Sequence, residues 1–295
     1  MSDDMQLNEA HIADYWDPDE DGAVVCRLCP HHCHIDEGET GSCGVRENRN
    51  GVLVAMGYGQ VSSVALDPIE KKPLYLFHPG KRILSVGGFG CNFHCQFCQN
   101  YEISAEFKLR HQSARIMTPI DLVMLAKQAT HEGNIGLAYT YNEPLTGYEF
   151  MRDTAKLARD FGLCNAIVTN GYIEKKPLED LLPLIDAMNI DLKSFSDVFY
   201  KRIGGDLETV KNTIMLAREY CHVEVTTLVI PGENEESVEQ AAEWLASMDP
   251  EIPMHISRFF PQYRYADRMP TPRETIHRLS KLAKNHLKNV FAGNM

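Results

Sequence analysis

The stretch ILSVGGFGCNFHCQFCQN, residues 83–100, joins a short β-rich run to a loop that carries three cysteines. Its first half has the small and apolar residues of a buried strand. Its second half spaces Cys91, Cys95 and Cys98 as C-x3-C-x2-C. Parallel α/β folds collect their chemistry where strands end, so the stretch predicts the first strand of such a fold with a site at its carboxyl end.

Downstream of this junction, short β-rich runs take turns with longer segments of helical period. The β-rich runs are ILSVGGFG, IGLAYTY, NAIVTN, MNIDLKSF, VEVTTLVIPG and PMHISRFF, and helical segments begin near Thr118, Gly147, Leu178, Glu208, Glu236 and Glu274. Such alternation implies βαβ crossovers and a parallel sheet. Six units over residues 80–295 predict an α/β fold, and they fit a partial (β/α)6 TIM-like barrel better than a doubly wound sheet.

Residues 1–79 are rich in Cys, His and Gly and predict a small Cys-rich N-terminal domain. Within it, GVLVAMGYGQVSSVAL (51–66) alternates partly between apolar and polar residues, which indicates two short strands. The domain also carries four cysteines at the spacing C-x2-C-x3-C-x9-C, namely Cys26, Cys29, Cys33 and Cys43. Four thiolates complete either a structural zinc site or a second, fully ligated iron–sulfur cluster, and the spacing leaves both open. Three neighbouring histidines are candidate substitutes for one ligand: His31, His32 and His34.

Composition excludes some classes of function. The chain has 295 residues, 44% of them apolar, and a formal net charge of -12, which argues against sequence-independent binding to nucleic acid. The N-terminus lacks the basic start and apolar core of a signal peptide, and no later apolar run approaches the length of a membrane span. We therefore expect a cytoplasmic protein without membrane contact, whose nine cysteines are ligands or buried side chains rather than disulfides. Cys164 and Cys221 stand alone and are expected to be buried.

Three thiolates at the C-x3-C-x2-C spacing can hold three irons of a cubane cluster and leave the fourth iron open to an outside ligand. The alternatives are an incomplete zinc site that borrows His94, or three incidental cysteines. The triplet resembles the signature of the radical S-adenosylmethionine (radical SAM) superfamily, with Phe97 as its aromatic residue. The resemblance implies a 4Fe–4S cluster whose open iron binds SAM, and reductive cleavage of SAM to methionine and a 5′-deoxyadenosyl radical.

Further residues are assigned to SAM by the same resemblance. The segment YNEP (141–144) stands where the superfamily has a Gly-Gly-Glu-Pro-like motif, which makes Glu143 a candidate partner of the SAM amino group and puts Asn142 in place of a glycine. Its alternative is a helix-start acid favoured by the helix dipole. Thr169 and Asn170 are candidate polar lining.

Two more pairs belong to this set. Asp191 and Lys193 match a D-x-K pair of the pyruvate formate-lyase activating enzymes, and because they lie two apart on a strand they point to one face. A solvent-side ion pair is the alternative. His255 and Arg258 are assigned to SAM or substrate on the sixth strand, against the alternative of a satisfied core histidine.

The N-terminal cysteines, together with DPIEKKPLYLFHPG (67–80), resemble the radical SAM enzymes of the AmmeMemoRadiSam system, relatives of the pyruvate formate-lyase activating enzymes. The resemblance implies hydrogen abstraction from a protein or peptide, a reductant such as flavodoxin or ferredoxin, and protein partners of Memo or Ammecr type. The chain has no R-V-x-G-Y segment, so a radical-bearing glycine would belong to a partner. The alternatives are a radical SAM enzyme for a small molecule and a metal-bearing binding module without turnover.

Overall fold

The computed structural model describes residues 11–107 and 114–295, and its N-terminal part consists of short strands. Strands β1 (Trp16–Pro18), β2 (Val24–Cys26) and β3 (His34–Ile35) form an antiparallel sheet, and β4 (Arg46–Arg49) pairs with β5 (Val52–Ala55) in a hairpin. Asn50 and Gly51 join the hairpin at φ of 53° and 76°, the left-handed conformation that a tight two-residue turn requires. The segment 51–66 therefore begins with a strand, as predicted.

The same segment continues into two more strands rather than one. Strand β6 (Gln60–Val61) pairs with β9 (Arg115–Ile116), which lies downstream of the cysteine triplet. Strand β7 (Ser63–Pro68) pairs antiparallel along its whole length with β8 (Arg82–Gly87), the strand that leads into the triplet. Residues before position 79 thus contribute one edge strand to the main sheet.

The main sheet has eight strands in the order β15-β14-β13-β12-β11-β10-β8-β7. Its remaining strands are β10 (Asn134–Tyr139), β11 (Cys164–Thr169), β12 (Ala187–Asp191), β13 (His222–Val229), β14 (Met254–Arg258) and β15 (Val290–Gly293). From β8 to β15 all neighbours are parallel and follow one another along the chain. A doubly wound sheet reverses its strand order at a switch point, so this sequential order is that of a barrel wall. The sheet ends at β7 and β15, which leaves the barrel open.

Helices connect the parallel strands as predicted. They are α1 (Tyr101–Ser104), α2 (Pro119–Gln128), α3 (Tyr148–Asp160), α4 (Lys175–Leu181), α5 (Asp197–Ile203), α6 (Leu207–Ala217), α7 (Ser237–Met248) and α8 (Arg273–Ala283). Thr118 and Asp121 form a reciprocal capping box at the start of α2. The predicted six βα units are confirmed, and α1, α5 and β15 are additions to them. None of the helices in the described ranges has the length and apolar character that a membrane crossing needs.

The two faces of the strands differ in size and polarity, because successive side chains point to opposite sides. One face carries large apolar residues packed against the helices, such as Leu137, Ile167 and Ile190. The other face carries small or polar residues, such as Ala138 and Asn189. Small side chains on the inner face leave room for a cavity inside the barrel.

The segment after β7 closes the end of the barrel opposite to the carboxyl ends of its strands. Ile69 and Leu74 pack there on the inner-face alanines, and the Asn189 side chain donates a hydrogen bond to the Pro73 carbonyl at 2.8 Å. The Leu76 N–H donates to Glu224 at the start of β13, at 2.7 Å. This segment therefore covers the base of the barrel, and the predicted site residues lie at the other end.

Candidate active site

The cysteine triplet lies on the loop between β8 and α1, at the carboxyl end of its strand as predicted. Cys91, Cys95 and Cys98 all line one cavity of about 760 Å³ inside the barrel. Two backbone hydrogen bonds hold the loop to the barrel rim: the His94 N–H donates to the Ile203 carbonyl at 2.8 Å, and the Arg264 N–H donates to the Gln96 carbonyl at 3.0 Å.

The chemistry of this donor set fits a metal cluster. Burial raises the pKa of Cys95 to about 12, and that of Cys91 well above its usual range. Such thiols become thiolates when a cationic centre compensates their charge. Three thiols on the wall of one cavity are a ligand set for three irons of a cubane, with the fourth iron left open to an outside ligand. The triplet is therefore suited to a cluster.

Two neighbours of the triplet have clear structural contacts. Phe97, the aromatic residue of the signature, is buried and packs on Phe199 and Tyr265, with ring centroids 6.0 Å away in each case. The His94 ring lies 2.9 Å from the Ser42 hydroxyl, so its Nε2 is already engaged in a hydrogen bond. Phe97 thus fixes the cysteine loop against α5 and the rim.

The YNEP segment follows β10 and binds the loop that leads to the triplet. The Asn142 side chain donates to the carbonyls of Phe89 and Gly90, at 2.9 and 3.1 Å, and accepts from the Gly88 N–H at 2.9 Å. Tyr141, which precedes it, has a φ of 75°, a strained conformation for a bulky residue that is typical of functional segments. Asn142 therefore lines the cavity and also holds its wall together.

Glu143 is the buried carboxylate of the cavity. Its Oε1 accepts from the Thr169 hydroxyl at 2.6 Å and from the Leu145 N–H at 3.1 Å, and its Oε2 accepts from the Asn170 N–H at 2.7 Å. Burial raises the pKa of Glu143 to about 7, although these donors favour the ionised form. The Leu145 bond is the helix-start role considered as the alternative, and the side chain lines the cavity at the same time.

Thr169 and Asn170, at the end of β11, orient Glu143 and also reach the triplet. The Asn170 side-chain amide lies 3.7 Å from the Cys91 sulfur and donates to the Asn92 side-chain oxygen at 2.9 Å. The hydroxyl of Thr169 also accepts from the Gly171 N–H at 3.0 Å. These contacts join the ends of β8, β10 and β11 into one polar network beside Cys91.

Asp191 and Lys193 lie at the end of β12 and point into the cavity together. The Lys193 Nζ is 2.9 Å from Asp191 Oδ2. Burial lowers the pKa of Lys193, but Asp191 and the nearby Cys95 outweigh burial and leave that pKa above its usual value. The pair is therefore an ion pair on the cavity wall beside the triplet rather than a solvent-side pair.

The last predicted pair does not reach the cavity. His255 is buried below it, where its Nε2 lies 2.6 Å from Glu224 Oε2 and its ring packs against Tyr75. Arg258 turns outward, because strand alternation places it opposite the cavity-lining Ser257, and its Nε donates to the Thr271 carbonyl at 2.8 Å. A direct contact of either residue with a ligand in the cavity is not supported by these positions.

The four N-terminal cysteines line a second, smaller cavity between the N-terminal strands and the barrel, together with His31 and Asn92. His31 Nε2 lies 2.7 Å from the Asn92 carbonyl. His32 and His34 turn to surface carboxylates instead, with His32 2.8 Å from Glu174 and His34 3.4 Å from Asp19. Of the three histidines, His31 is the one that borders this set.

One cavity feature was missed by sequence reasoning. Asp67 receives hydrogen bonds or ion pairs from the Tyr141 hydroxyl at 2.7 Å, Lys72 at 3.0 Å and Lys71 at 3.2 Å. The Lys72 Nζ also lies 4.4 Å from the Tyr141 ring centroid. The segment DPIEKKP contains Asp67 and both lysines, but the sequence does not show that Lys72 is buried in the cavity wall.

Comparison with known proteins identifies the class to which this architecture belongs. Residues 85–245 match the family model of the radical SAM superfamily. This match covers more than half of the chain, and the chain therefore belongs to the radical SAM superfamily. Membership implies SAM and a 4Fe–4S cluster as cofactors.

Individual relatives are similar to this chain in sequence, and one solved structure is similar in fold. Uncharacterized protein MJ0808 of Methanocaldococcus jannaschii is 44% identical over 282 residues, which cover 94% of this chain and 83% of that protein. The pyruvate formate-lyase 1-activating enzyme of Escherichia coli (strain K12) is 23% identical over 179 residues, covering 58% of this chain and 70% of the enzyme. The crystal structure of QueE from Escherichia coli matches with a TM-score of 0.52 at 12% identity, covering 80% of this chain and 94% of QueE, which supports the partial-barrel fold.

Proposed function

We propose that this protein cleaves SAM reductively at a 4Fe–4S cluster held by Cys91, Cys95 and Cys98, and abstracts a hydrogen atom from a protein or peptide partner. The observation that carries the proposal is the convergence of the three thiols with Glu143 on one deep cavity. When bound, the cluster supplies one electron that cleaves SAM to methionine and a 5′-deoxyadenosyl radical. The protein supplies the ligands, the orientation of SAM and the shielding of the radical.

Glu143 is assigned to the amino group of SAM. A carboxylate held by three donors has a fixed orientation, and its remaining lone pairs suit a charge-assisted hydrogen bond from an ammonium group. The Thr169 hydroxyl and the Asn170 N–H set that orientation, at 2.6 and 2.7 Å. Asp191 and Lys193 border the same space and are assigned to the polar groups of SAM.

The shape of the cavity supports a protein or peptide substrate. The cavity reaches solvent, because several of its lining residues are exposed: Lys71, Gln99, Asn100, Arg264 and Asn294. Pockets for drug-sized molecules have volumes of about 300–1,000 Å³, and the cavity, at about 760 Å³, lies within that range. An open rim of this kind admits a loop of a partner.

The positive charges of the cavity wall are largely paired. Lys193 pairs with Asp191, Lys72 with Asp67 and Arg202 with Glu233, so charge does not assign the substrate class. Activase-like chemistry would place the radical on a glycine of the partner, and Memo-type and Ammecr-type proteins are the proposed partners, with flavodoxin or ferredoxin as the proposed reductant.

The test is release of 5′-deoxyadenosine by anaerobically reconstituted protein supplied with dithionite and SAM. The wild type should release it, and the triple variant Cys91→Ala, Cys95→Ala, Cys98→Ala should not. The double variant Cys164→Ala, Cys221→Ala removes two cysteines outside both cavities and should match the wild type. Absence of 5′-deoxyadenosine from cluster-loaded wild type would overturn the proposal and favour a binding module without turnover.

A further inference from the structure

The loop that carries the triplet is bound to the barrel rim on both sides of its middle cysteine, Cys95. Before it, the His94 N–H donates to the Ile203 carbonyl at the end of α5, at 2.8 Å. After it, the Gln96 carbonyl accepts from the Arg264 N–H in a turn that follows β14, at 3.0 Å. The position of Cys95 therefore depends on two rim segments that are distant from each other in the sequence.

A single carboxylate joins these two rim segments. Glu233 lies after β13, and its side chain is only 9% exposed. It pairs with Arg202 of α5 and with Arg268, whose Nη1 is 2.5 Å from Glu233 Oε1, and it accepts from the Tyr265 hydroxyl at 3.2 Å. Arg202 and Tyr265 are the direct sequence neighbours of the two residues whose backbones bind the loop. Glu233 therefore links both attachment points of the triplet loop.

The same network supports the aromatic residue of the cysteine motif. The Arg202 guanidinium lies 5.0 Å from the centroid of the Phe199 ring, and the Arg268 guanidinium lies 3.5 Å from that of the Tyr265 ring. Such cation–π contacts stabilise the position of a ring. Phe97, next to Cys98, packs on these same two rings. Each ring that holds Phe97 thus carries an arginine, and both arginines pair with Glu233.

The electrostatics favour a charged Glu233. Burial opposes its ionisation, but hydrogen bonds from Arg268 and Arg202 prevail and lower the pKa of Glu233. Because the carboxylate is largely shielded from water, its attraction to the arginines is weakened less by solvent than that of a surface pair. Loss of this charge would leave both arginines without the carboxylate that joins them.

We propose that Glu233 is a positioning residue of the reaction centre, which holds Cys95 and Phe97 in place for the cluster through the two arginines and their rings. The proposal rests on the proposed function, because it requires that the triplet holds a cluster. It assigns Glu233 no contact with SAM or with the substrate.

Iron release from the anaerobically reconstituted full chain tests the proposal without using activity. A ferrous-iron chelator is added, and the release from the triple variant of Cys91, Cys95 and Cys98 to Ala is subtracted, so that the remaining iron belongs to the triplet. Glu233→Gln should release this iron about tenfold faster than the wild type, a factor that corresponds to about 1.4 kcal/mol. Glu251→Gln makes the same chemical change in a carboxylate that is 57% exposed and pairs with Lys288, and it should match the wild type.

Two further readouts separate positioning from a general loss of stability. At equal iron content, the g values of the reduced triplet cluster in paramagnetic resonance should shift in Glu233→Gln and not in Glu251→Gln. In a cycle of Phe97→Leu, Glu233→Gln and the double variant, the double variant should accelerate iron release by less than the product of the two single factors, because both changes act on the same contact.

Unchanged iron release, unchanged g values or a full product of the two factors would each overturn the proposal. If Glu233→Gln does not fold, Arg268→Met replaces it, because Arg268 is 38% exposed and its loss removes one half of the network; the same shifts are expected. A wild type whose triplet holds no iron would instead overturn the proposed function, so the two failures are distinguishable.

Discussion

The buried ion pair between Arg46 and Glu149 joins the N-terminal strands to the barrel, and its loss should be measurable. Arg46 is on β4 and Glu149 on the first turn of α3, and they are 1% and 0% exposed. Glu149 Oε1 accepts from Arg46 Nη1 at 2.9 Å and from the Asp14 N–H at 2.8 Å, while Oε2 lies 3.2 Å from Nη1. Glu149→Gln replaces one acceptor by an amide donor and leaves the guanidinium without a counter-charge.

The expected cost follows from these contacts. Each hydrogen bond to a charged group contributes about 1.5–3 kcal/mol, and breaking one partner of a buried pair costs about 3–5 kcal/mol. We therefore expect Glu149→Gln to lower the free energy of unfolding by about 3–5 kcal/mol. Urea denaturation at 25 °C, with all variants reconstituted to the same iron content, measures this difference.

Two controls separate the pair from a general effect of substitution. Glu208→Gln removes a pair on α6 whose carboxylate is exposed, with Lys211 Nζ 2.9 Å from Glu208, and should cost at most about 1 kcal/mol. The double variant Arg46→Met, Glu149→Leu removes both charges and should recover most of the lost stability. If Glu149→Gln is no more destabilising than Glu208→Gln, or if the double variant is as unstable as Glu149→Gln, the reasoning is refuted.

Further predictions concern the cavity and its base. Glu143→Gln should weaken SAM binding roughly ten- to hundredfold, by loss of a charge-assisted hydrogen bond of about 1.5–3 kcal/mol, in equilibrium dialysis with iron content unchanged; equal affinity would contradict the assigned role. Asp67→Asn leaves the buried Lys72 without its carboxylate and should lower the free energy of unfolding by about 3 kcal/mol in urea, and a loss under about 1 kcal/mol would count against a buried pair. Burial opposes ionisation of Glu224, but hydrogen bonds from two histidines prevail and lower its pKa to about 2 from an ordinary 4.5. Because that pKa is lowered on folding, the stability difference between wild type and Glu224→Gln should be full above pH 4.5 and shrink as the pH falls toward about 2; a difference independent of pH would refute this.

The predicted units were recovered because their patterns were long. The six parallel strands and their helices carry clear periods of two or 3.6 residues over enough residues to be distinguished. Strand β15 is four residues long and pairs only with β14, so its existence depends on a tertiary neighbour rather than on its own sequence. Strand β7 begins within the segment 51–66, where two strands were predicted, but its pairing with β8 depends on the fold.

The motifs of the site could be predicted from the sequence, but the depth of each side chain below the cavity mouth could not. The triplet, Glu143 and the Asp191–Lys193 pair stand at strand ends, where position along the chain already implies the cavity. His255 lies only two residues before the cavity-lining Ser257 on the same face, and that single step places it a layer lower, beside Glu224. The depth of a side chain below the cavity mouth depends on how neighbouring strands are offset along the barrel axis. The sequence pattern of a single strand does not show that offset.

The antiparallel strand β7 has a consequence for how this molecule can be divided. Its six residues pair with β8 from Ser63↔Gly87 to Pro68↔Arg82, and the following segment seals the base of the barrel. A fragment that began at residue 80 would expose the hydrogen-bonding edge of β8, the strand that precedes the triplet. It would also expose the inner-face alanines that Ile69 and Leu74 cover. The cysteine-rich part is thus not a separable unit. Removing it from the barrel, or expressing the barrel alone, would take one strand out of the sheet that forms the cavity wall.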